Sequence, residues 1–330
     1  MRLLALVCLL LLLLPLPACG RERPSAEPAP SEEEDPLGGF EEEELTGRIQ
    51  ADGSSTVAPL MTIAAERFRR EEPKVRVTVG TSGTGGGFER FCRGETDLAD
   101  ASRPIKAEEE QLCQRNNVPF FELQVANDGI SVVVNRGNDW ADCLTVDQLK
   151  AIWEPKSKVR TWKDVDPSFP DERLTLFGPG TDSGTFDYFT DAIVGEEGLS
   201  RSDYTQTEND NVIVTGVTGD EGALGYFGLS YYIENEERLK ALAVDGGDGC
   251  VEPSLETVQD GSYKPLSRPL FVYVNEDSLA EKPALEPFLT FLIDNEPRLA
   301  RGAKFVPMTS EQLDRARTIL ESGGVGTDEE

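Results

Sequence analysis

Histidine is absent from all 330 residues. A serine nucleophile would therefore have no imidazole base, and a metal site would lose its commonest nitrogen ligand. Cys-x-x-Cys pairs are absent too, which removes the usual thiolate framework for a metal. Positive charge is scarce: 32 Lys and Arg stand against 61 Asp and Glu, a formal net charge of −29. Such a chain repels phosphate backbones, so nucleic acid is excluded as a partner. It offers no polybasic patch for anionic lipid either. Long apolar runs are missing beyond the first sixteen residues. With 38% hydrophobic and 28% charged residues overall, the remainder reads as globular and is long enough for two domains.

The apolar run that does occur, Leu3 to Leu16 broken only by Pro15, follows Met1-Arg2. It is too short to span a bilayer comfortably and has the layout of a secretory signal. Its end, Leu16-Pro17-Ala18-Cys19-Gly20, resembles the lipobox of bacterial lipoproteins, whose cysteine is lipidated and becomes the mature N-terminus. Residues 1–19 are thus expected to be a lipoprotein signal peptide, with Cys19 as the point of lipidation. Residues 20–45 hold ten acids, two Arg and four Pro, with too few apolar residues to bury anything. They read as a disordered acidic tether. Signal and tether aside, the chain still carries −22, so the globular surface is acidic as well. Cys8 and Cys19 lie in the leader, which leaves Cys92, Cys113, Cys143 and Cys250. An even number in an exported chain points to two disulfides. Of the three pairings, Cys92–Cys113 with Cys143–Cys250 is favoured.

Three strand-to-helix junctions organise the globular part. Around residues 53–57, Ser54, Ser55 and Thr56 open a helix whose face carries Val57, Leu60, Met61, Ala64 and Phe68. The alternating stretch Lys74 to Val79 ends in Gly80-Thr81-Ser82-Gly83-Thr84-Gly85-Gly86-Gly87, after which Phe88 and Phe91 recur at helical spacing. This is no nucleotide loop: it lacks a Gly-Lys-Ser/Thr ending, and Phe88 holds the last Gly position of a GxGxxG register. The third junction, Gly178-Pro179-Gly180-Thr181-Asp182-Ser183-Gly184-Thr185-Phe186, follows the short apolar strand Leu174 to Phe177. Helix N-termini carry unpaired N–H groups and the positive end of the helix dipole. Three junctions rich in Ser, Thr and Gly suggest one shared oxyanion site. Arg103, among small residues and just before Pro104, sits in a rigid loop and is the expected fixed cation of that site.

Phe120 to Asn135 reads as two strands interrupted at Asn127-Asp128-Gly129. Thr145 and Gln148 form a capping box, Ala223 to Gly228 is a Gly-punctuated strand, and Arg268 to Val274 is strongly apolar. From Glu281 to Leu320 the pattern is helical. Leu285, Phe288, Leu289 and Leu292 share a face there, and Thr309 with Gln312 can box the last helix. Strands alternate with helices, so the class is α/β with mainly parallel sheets. The chain is expected to leave a first domain (46–126 plus 265–330) near residue 126, build a second (127–264) and return near 265. Two crossing strands would act as a hinge, with a ligand held between the domains.

GSSTVAPL, VTVGTSGTGGGFERFCRGETDLADASRP, ANDGISVVVN, GPGTDSGTFDYF, ALGYFG and PLSRPLFVYVN together resemble the phosphate-binding lipoproteins of bacterial high-affinity phosphate ABC transporters. The similarity runs from about Ile49 to the C-terminus in the same order. It implies a type II periplasmic-binding-protein fold that closes on one phosphate ion. It also implies delivery to integral-membrane permease subunits from a lipid anchor outside the cell membrane. Neither a cofactor nor catalysis is implied. Carried over by motif, Ser55, Thr56, the Val57 backbone, Ser82, Ser183, Gly184 and Thr185 would bind phosphate. Two positions depart from the best-known pattern. Arg103 stands where an Asp is usual, and Pro179 where an Arg is usual. A buried carboxylate can accept the proton of phosphate, whereas sulfate carries none. Asp182 and then Asp128 are the candidates to replace that missing acceptor.

Other readings compete. Within the binding class, the site could serve sulfate or a tungstate-type oxyanion. In a different class, Asp182-Ser183-Gly184-Thr185 resembles the signature of aspartic peptidases. That chemistry needs two such carboxylates, and the chain holds no second copy.

Overall fold

The computed structural model describes residues 44–181 and 183–324. The expected signal peptide, Cys19, most of the tether and Asp182 lie outside the described residues. No helix among these residues is long and apolar enough to cross a membrane.

Strands and helices alternate first as β1 (Gly47–Gly53), α1 (Ala58–Glu71), β2 (Val75–Gly80), α2 (Gly83–Phe91), β3 (Leu98–Ala101) and α3 (Ala107–Arg115). The apolar face of α1 is buried as its spacing demands, and Arg69 and Arg70 in its last turn suit the negative end of the helix dipole. The long strand β4 (Phe120–Asn135) follows. After it come β5 (Cys143–Thr145), α4 (Val146–Trp153), α5 (Trp162–Val165), β6 (Thr175–Gly178) and α6 (Gly184–Phe189). Then come β7 (Thr205–Gln206), α7 (Asp210–Thr218), β8 (Ala223–Gly228), α8 (Leu229–Asn235), β9 (Leu239–Ala241), β10 (Ala243–Asp245), β11 (Cys250–Val251) and α9 (Leu255–Gln259). The chain returns through β12 (Ser267–Asn275) and closes with α10 (Glu276–Glu281), α11 (Leu285–Asp294), α12 (Glu296–Gly302) and α13 (Ser310–Glu321).

The main sheet runs β2-β1-β3-β12-β4-β8-β6-β7, with β9 also on β4. β1 is parallel to β2 and β3, β6 is parallel to β8 and β7, and β12 and β4 are antiparallel to each other. Two large cores flank it, both within one compact unit. The first joins α1, the start of β4, β12 and α11, with Phe68 edge-on to Phe288 at 5.4 Å. In the second, the Trp153 ring meets Tyr226 at 4.9 Å, Tyr204 at 5.1 Å and Phe189 at 5.7 Å. Each such buried aromatic contributes about 1.5–3 kcal/mol. Disulfides join Cys92 to Cys113 and Cys143 to Cys250, the pairing favoured above. The capping boxes at Thr145/Gln148 and Thr309/Gln312 are formed.

One strand replaces the expected two between Phe120 and Asn135. Asn127-Asp128-Gly129 is a turn signal only while its hydrogen bonds lack partners. Here those residues pair with Pro269, Arg268 and Ser267 of β12, and Asn127 also bridges to Val306. The ladder satisfies the backbone that a turn would otherwise have closed. β4 therefore runs from the first core, at Phe121, Leu123 and Val125, into the second, at Ile130, Val132 and Val134.

Candidate functional site

β1 ends at Gly53, whose φ is 146° and where an added Cβ would fall 2.1 Å from the Asp100 carbonyl oxygen, so there is no room for a side chain. The chain then turns through Ser54, whose N–H donates to that carbonyl at 2.8 Å, and delivers Ser55 and Thr56 to a cavity of about 600 Å³. The first turn of α2 brings Thr84 to the same cavity, and the loop after β3 brings Ser102 and Arg103. Thr84 and Ser102 hold each other, their hydroxyls 3.1 Å apart. From the other core come Asp187, Tyr188, Asp191 and Glu197, and from β12 comes Arg268.

Arg268 sits at the centre. It faces Asp128 across the β4–β12 ladder, and its Nε and Nη2 each donate to Asp128 Oδ2 at 3.3 Å. Nη2 also donates to Thr56 Oγ1 at 3.0 Å, and Nη1 to the Ser102 carbonyl at 3.3 Å. The guanidinium carbon lies 3.6 Å from the centroid of the Tyr188 ring, a cation–π contact in a largely desolvated place. Tyr188 is held in turn by donating to the Pro265 carbonyl at 2.7 Å. Burial pushes the Asp128 carboxyl up, while the Arg268 charge and hydrogen bonds oppose the shift. Asp187 is also raised, by burial and then by Glu197, although Ser55 Oγ donates to it at 3.4 Å.

The expected site residues divide. Ser55, Thr56 and Arg103 line the cavity. Val57 has its side chain in the core. Ser183 caps α6 by accepting from the Thr185 N–H at 3.2 Å. Gly184 lies directly against Thr56: a Cβ there would come within 2.5 Å of Thr56 Oγ1. Thr56 Oγ1 donates to the Gly184 carbonyl at 3.4 Å, so the first and third junctions meet. Asp128 is drawn in through Arg268. Ser82 is exposed and does not line the cavity, its N–H donating to Asp52 Oδ1 at 3.0 Å. Thr84, two residues on, is the hydroxyl that the second junction supplies.

Arg103 is not the lone cation that the sequence suggested. Its Nη1 and Nη2 form a two-pronged pair with Glu109, at 2.8 and 2.7 Å. Burial would raise the Glu109 carboxyl, yet these bonds and the Lys106 N–H hold it below the usual carboxylate range. Arg103 therefore enters the cavity already neutralised, and Arg268 and Lys106 join it there. Arg268 was missed because it reads as the first residue of an apolar strand. The available signal was a charged residue at the point where the chain crosses back between domains. Among the described residues, no group of Cys, Asp and Glu could hold a metal.

A PBP superfamily domain matches residues 39–296. Protein SphX of Synechocystis is 46% identical over 84% of this chain and 84% of its own length. The phosphate-binding protein PstS of Staphylococcus aureus is 37% identical over 86% of each chain. The chain belongs to this superfamily, in the group of SphX and PstS. The crystal structure of a possible phosphate binding protein from Planctomyces limnophilus superposes with a TM-score of 0.81 at 42% identity, covering 84% of this chain and 99% of that one. The fold is thus the type II periplasmic-binding-protein fold, with β4 and β12 as the two strands that pass between the cores.

Proposed function

We propose that this chain is the solute-binding component of a phosphate ABC transporter, which captures inorganic phosphate in the cavity between the two cores and hands it to membrane permease subunits. The observation that carries the reading is Arg268. Its half-buried guanidinium joins Thr56, Ser102, Asp128 and Tyr188 at one point. A planar fork fixed in that way matches the oxygens of a tetrahedral anion. Asp128 orients the fork, and the hydroxyls of Ser55, Thr56, Thr84 and Ser102 with the α6 N-terminus at Ser183, Gly184 and Thr185 complete the donor set. Arg103 sits at the rim, tied to Glu109. Asp128 and Asp182 are the carboxylates to which we assign the proton of phosphate, and with it the rejection of sulfate. The phosphate-binding protein PstS and the possible phosphate binding protein of Planctomyces limnophilus support phosphate over sulfate or tungstate. Nothing in the cavity favours peptidase chemistry.

The two cores support the proposed domain division near residues 126 and 265, with β4 and β12 as the hinge. The lipobox at Leu16-Pro17-Ala18-Cys19 supports attachment to the outer face of the cell membrane through Cys19, and Cys19→Ala should release the protein from membranes. Equal membrane retention of that variant would remove the anchor from the reading. The central test is calorimetric titration of phosphate-stripped protein with phosphate, arsenate and sulfate. Phosphate and arsenate should bind one to one and sulfate should not, and Arg268→Ala should weaken phosphate at least about a hundredfold, the loss of one charge-assisted bidentate contact. Equal binding of sulfate, or an unaffected Arg268→Ala variant, would overturn the assignment.

A further inference from the structure

A second cavity, of about 590 Å³, lies at the edge of the main sheet and shares no lining residue with the cleft. It opens because the edge of β6 is only partly covered. β7 pairs with Phe177 and Gly178, and Thr161 bridges to Arg173 on the other side. Thr175 and Leu176, between those two pairings, are left to line the cavity. Three arginines gather around it: Arg160, Arg173 and Arg201.

Their charge is not balanced. Arg201 is buried, and its Nη1 is spent on the carbonyls of Ile152 at 2.8 Å and Val159 at 3.3 Å. Its Nε and Nη2 grip Asp203 at 2.6 and 3.0 Å. Arg160 reaches the same carboxylate at 3.3 Å. The Arg201 hydrogen bonds pull Asp203 down to about 2, so it stays ionised at any physiological pH. One carboxylate thus serves two arginines, while the exposed Arg173 side chain makes no ion pair or hydrogen bond to another described residue. Asp164 stands beside Arg160 as well, its carboxylate accepting from the Arg160 and Thr161 N–H groups at 2.9 Å. The charge left over is thus that of Arg173, in a protein of net charge −29 whose 61 acids could readily have supplied a partner. Thr175 and Thr205 add hydroxyls to the same wall.

We propose that this cavity is a second anion site, which takes a multiply charged oxyanion of the phosphate class between Arg160 and Arg173. The Arg173 fork suits such oxygens. Arg160, whose Nη1 is held by the carbonyls of Ser157 at 3.0 Å and Val159 at 2.8 Å, adds its charge from the bridged segment. The buried Arg201, paired with the exposed Asp203, is the floor between them. The wall also braces the cleft. Tyr204 donates to the Pro179 carbonyl at 2.8 Å and the Thr207 N–H to the Gly178 carbonyl at 3.1 Å, both at the start of the loop that ends at Ser183.

The test uses the whole chain carrying Arg268→Ala, in which the cleft is weakened, titrated with inorganic phosphate and with pyrophosphate at low ionic strength. Only binding lost when Arg160 and Arg173 are also removed is assigned to the second cavity. One weak site should remain for at least one of the two anions. Its affinity should fall with added salt, as surface-charge binding does. Pyrophosphate binding more tightly would assign the site to linked phosphoryl groups spanning both forks, and phosphate binding more tightly to the free ion. Adding Arg160→Ala and Arg173→Ala should weaken that site at least about tenfold. The same pair in an otherwise wild-type chain should leave the cleft titration unchanged. Both side chains are exposed, so the far-ultraviolet circular dichroism should match wild type, which confirms folding. If the Arg268→Ala protein takes up neither anion, or if removing both arginines leaves its residual binding intact, the second site does not exist. These outcomes are independent of the cleft assignment, because the wild-type tight site is titrated separately.

Discussion

Asp100 should make this protein lose stability as pH rises, and Asp100→Asn should remove that loss. The side chain on β3 is fully buried, and neither carboxylate oxygen has a hydrogen-bond partner. Burial is the main cause that pushes its pKa up to about 8, and the neighbouring Asp52 adds to it. Asp52 itself is partly desolvated, but the Ser82 N–H and Arg90 hold it below the usual carboxylate range, so it remains a negative neighbour. The native state therefore keeps a proton on Asp100 that the unfolded chain releases near 3.8. Between those values the native state binds more protons than the unfolded one, and stability falls as pH rises, by at most roughly 1.4 kcal/mol per pH unit. The contribution is complete below the unfolded value and gone above about 8. From pH 5 to pH 7 this amounts to at most roughly 2.7 kcal/mol, a large share of the stability of an ordinary domain. Asp210, raised to about 6, and Glu296, raised to about 7, add slopes of the same sign. The test is therefore the difference between variant and wild type. Urea unfolding of ligand-free protein at pH 5, 6, 7 and 8 supplies it. The Asn variant should already lead at pH 5, by at most roughly 1.6 kcal/mol, and should gain steadily up to about pH 8. Parallel curves across the range would show that Asp100 is ionised in the native state and has a partner or water that satisfies it.

Three further outcomes are expected. Gly184→Ala should weaken phosphate binding at least about tenfold with little change in thermal stability, because its Cβ would fall 2.5 Å from Thr56 Oγ1 and 2.9 Å from Thr56 Cα, where the two cores meet. Wild-type affinity in a calorimetric titration would mean that the contact is not part of the bound state. Asp128→Asn should cost phosphate binding on the order of 1.5–3 kcal/mol by removing the charge that orients Arg268, and should narrow the gap to sulfate. Unchanged selectivity would move the acceptor role elsewhere. Stopped-flow association should quicken, or at least not slow, from low to physiological salt, since a net charge of −29 repels the anion and salt screens the repulsion. A steep fall with salt would instead mark Arg103, Lys106 and Arg268 as a local funnel.

Local pattern was enough wherever local physics decides the outcome. The buried face of α1, the capping boxes on α4 and α13, and the hydroxyl-rich ends of β1 and β6 could all be read from spacing. In each case a residue's partners lie within a turn or two of it. The readings that the structure revises depend on partners that local spacing does not reveal. Asn127-Asp128-Gly129 carries a turn signal that the β12 ladder overrides. Ser82 looks like a site hydroxyl, but the carboxylate of Asp52, thirty residues earlier, claims its N–H. Arg103 looks like a free cation until Glu109 is folded onto it by the first turn of α3. A charged residue's availability is set by what neutralises it, and sequence order does not contain that information.

Arg268 is the sharpest case, because its role follows from register alone. It meets Asp128 across 140 positions of sequence, and a slip of one residue in the β4–β12 ladder would turn it to the opposite face. The bulge between Leu270 and Phe271 comes just after it, so the register on the site side is set separately from that of the first core. β4 and β12 are also the strands that link the two cores. Arg268 and Asp128, the cation and carboxylate of the proposed site, thus stand one on each of the strands proposed as the hinge. The Thr56 hydroxyl that Arg268 donates to comes from the first core, and the Tyr188 ring beneath it comes from the second. An anion drawn to Arg268, with Asp128 holding the fork, would meet donors from both cores at once. Capture and closure then act through the same few atoms, and no separate relay between ligand and hinge is required.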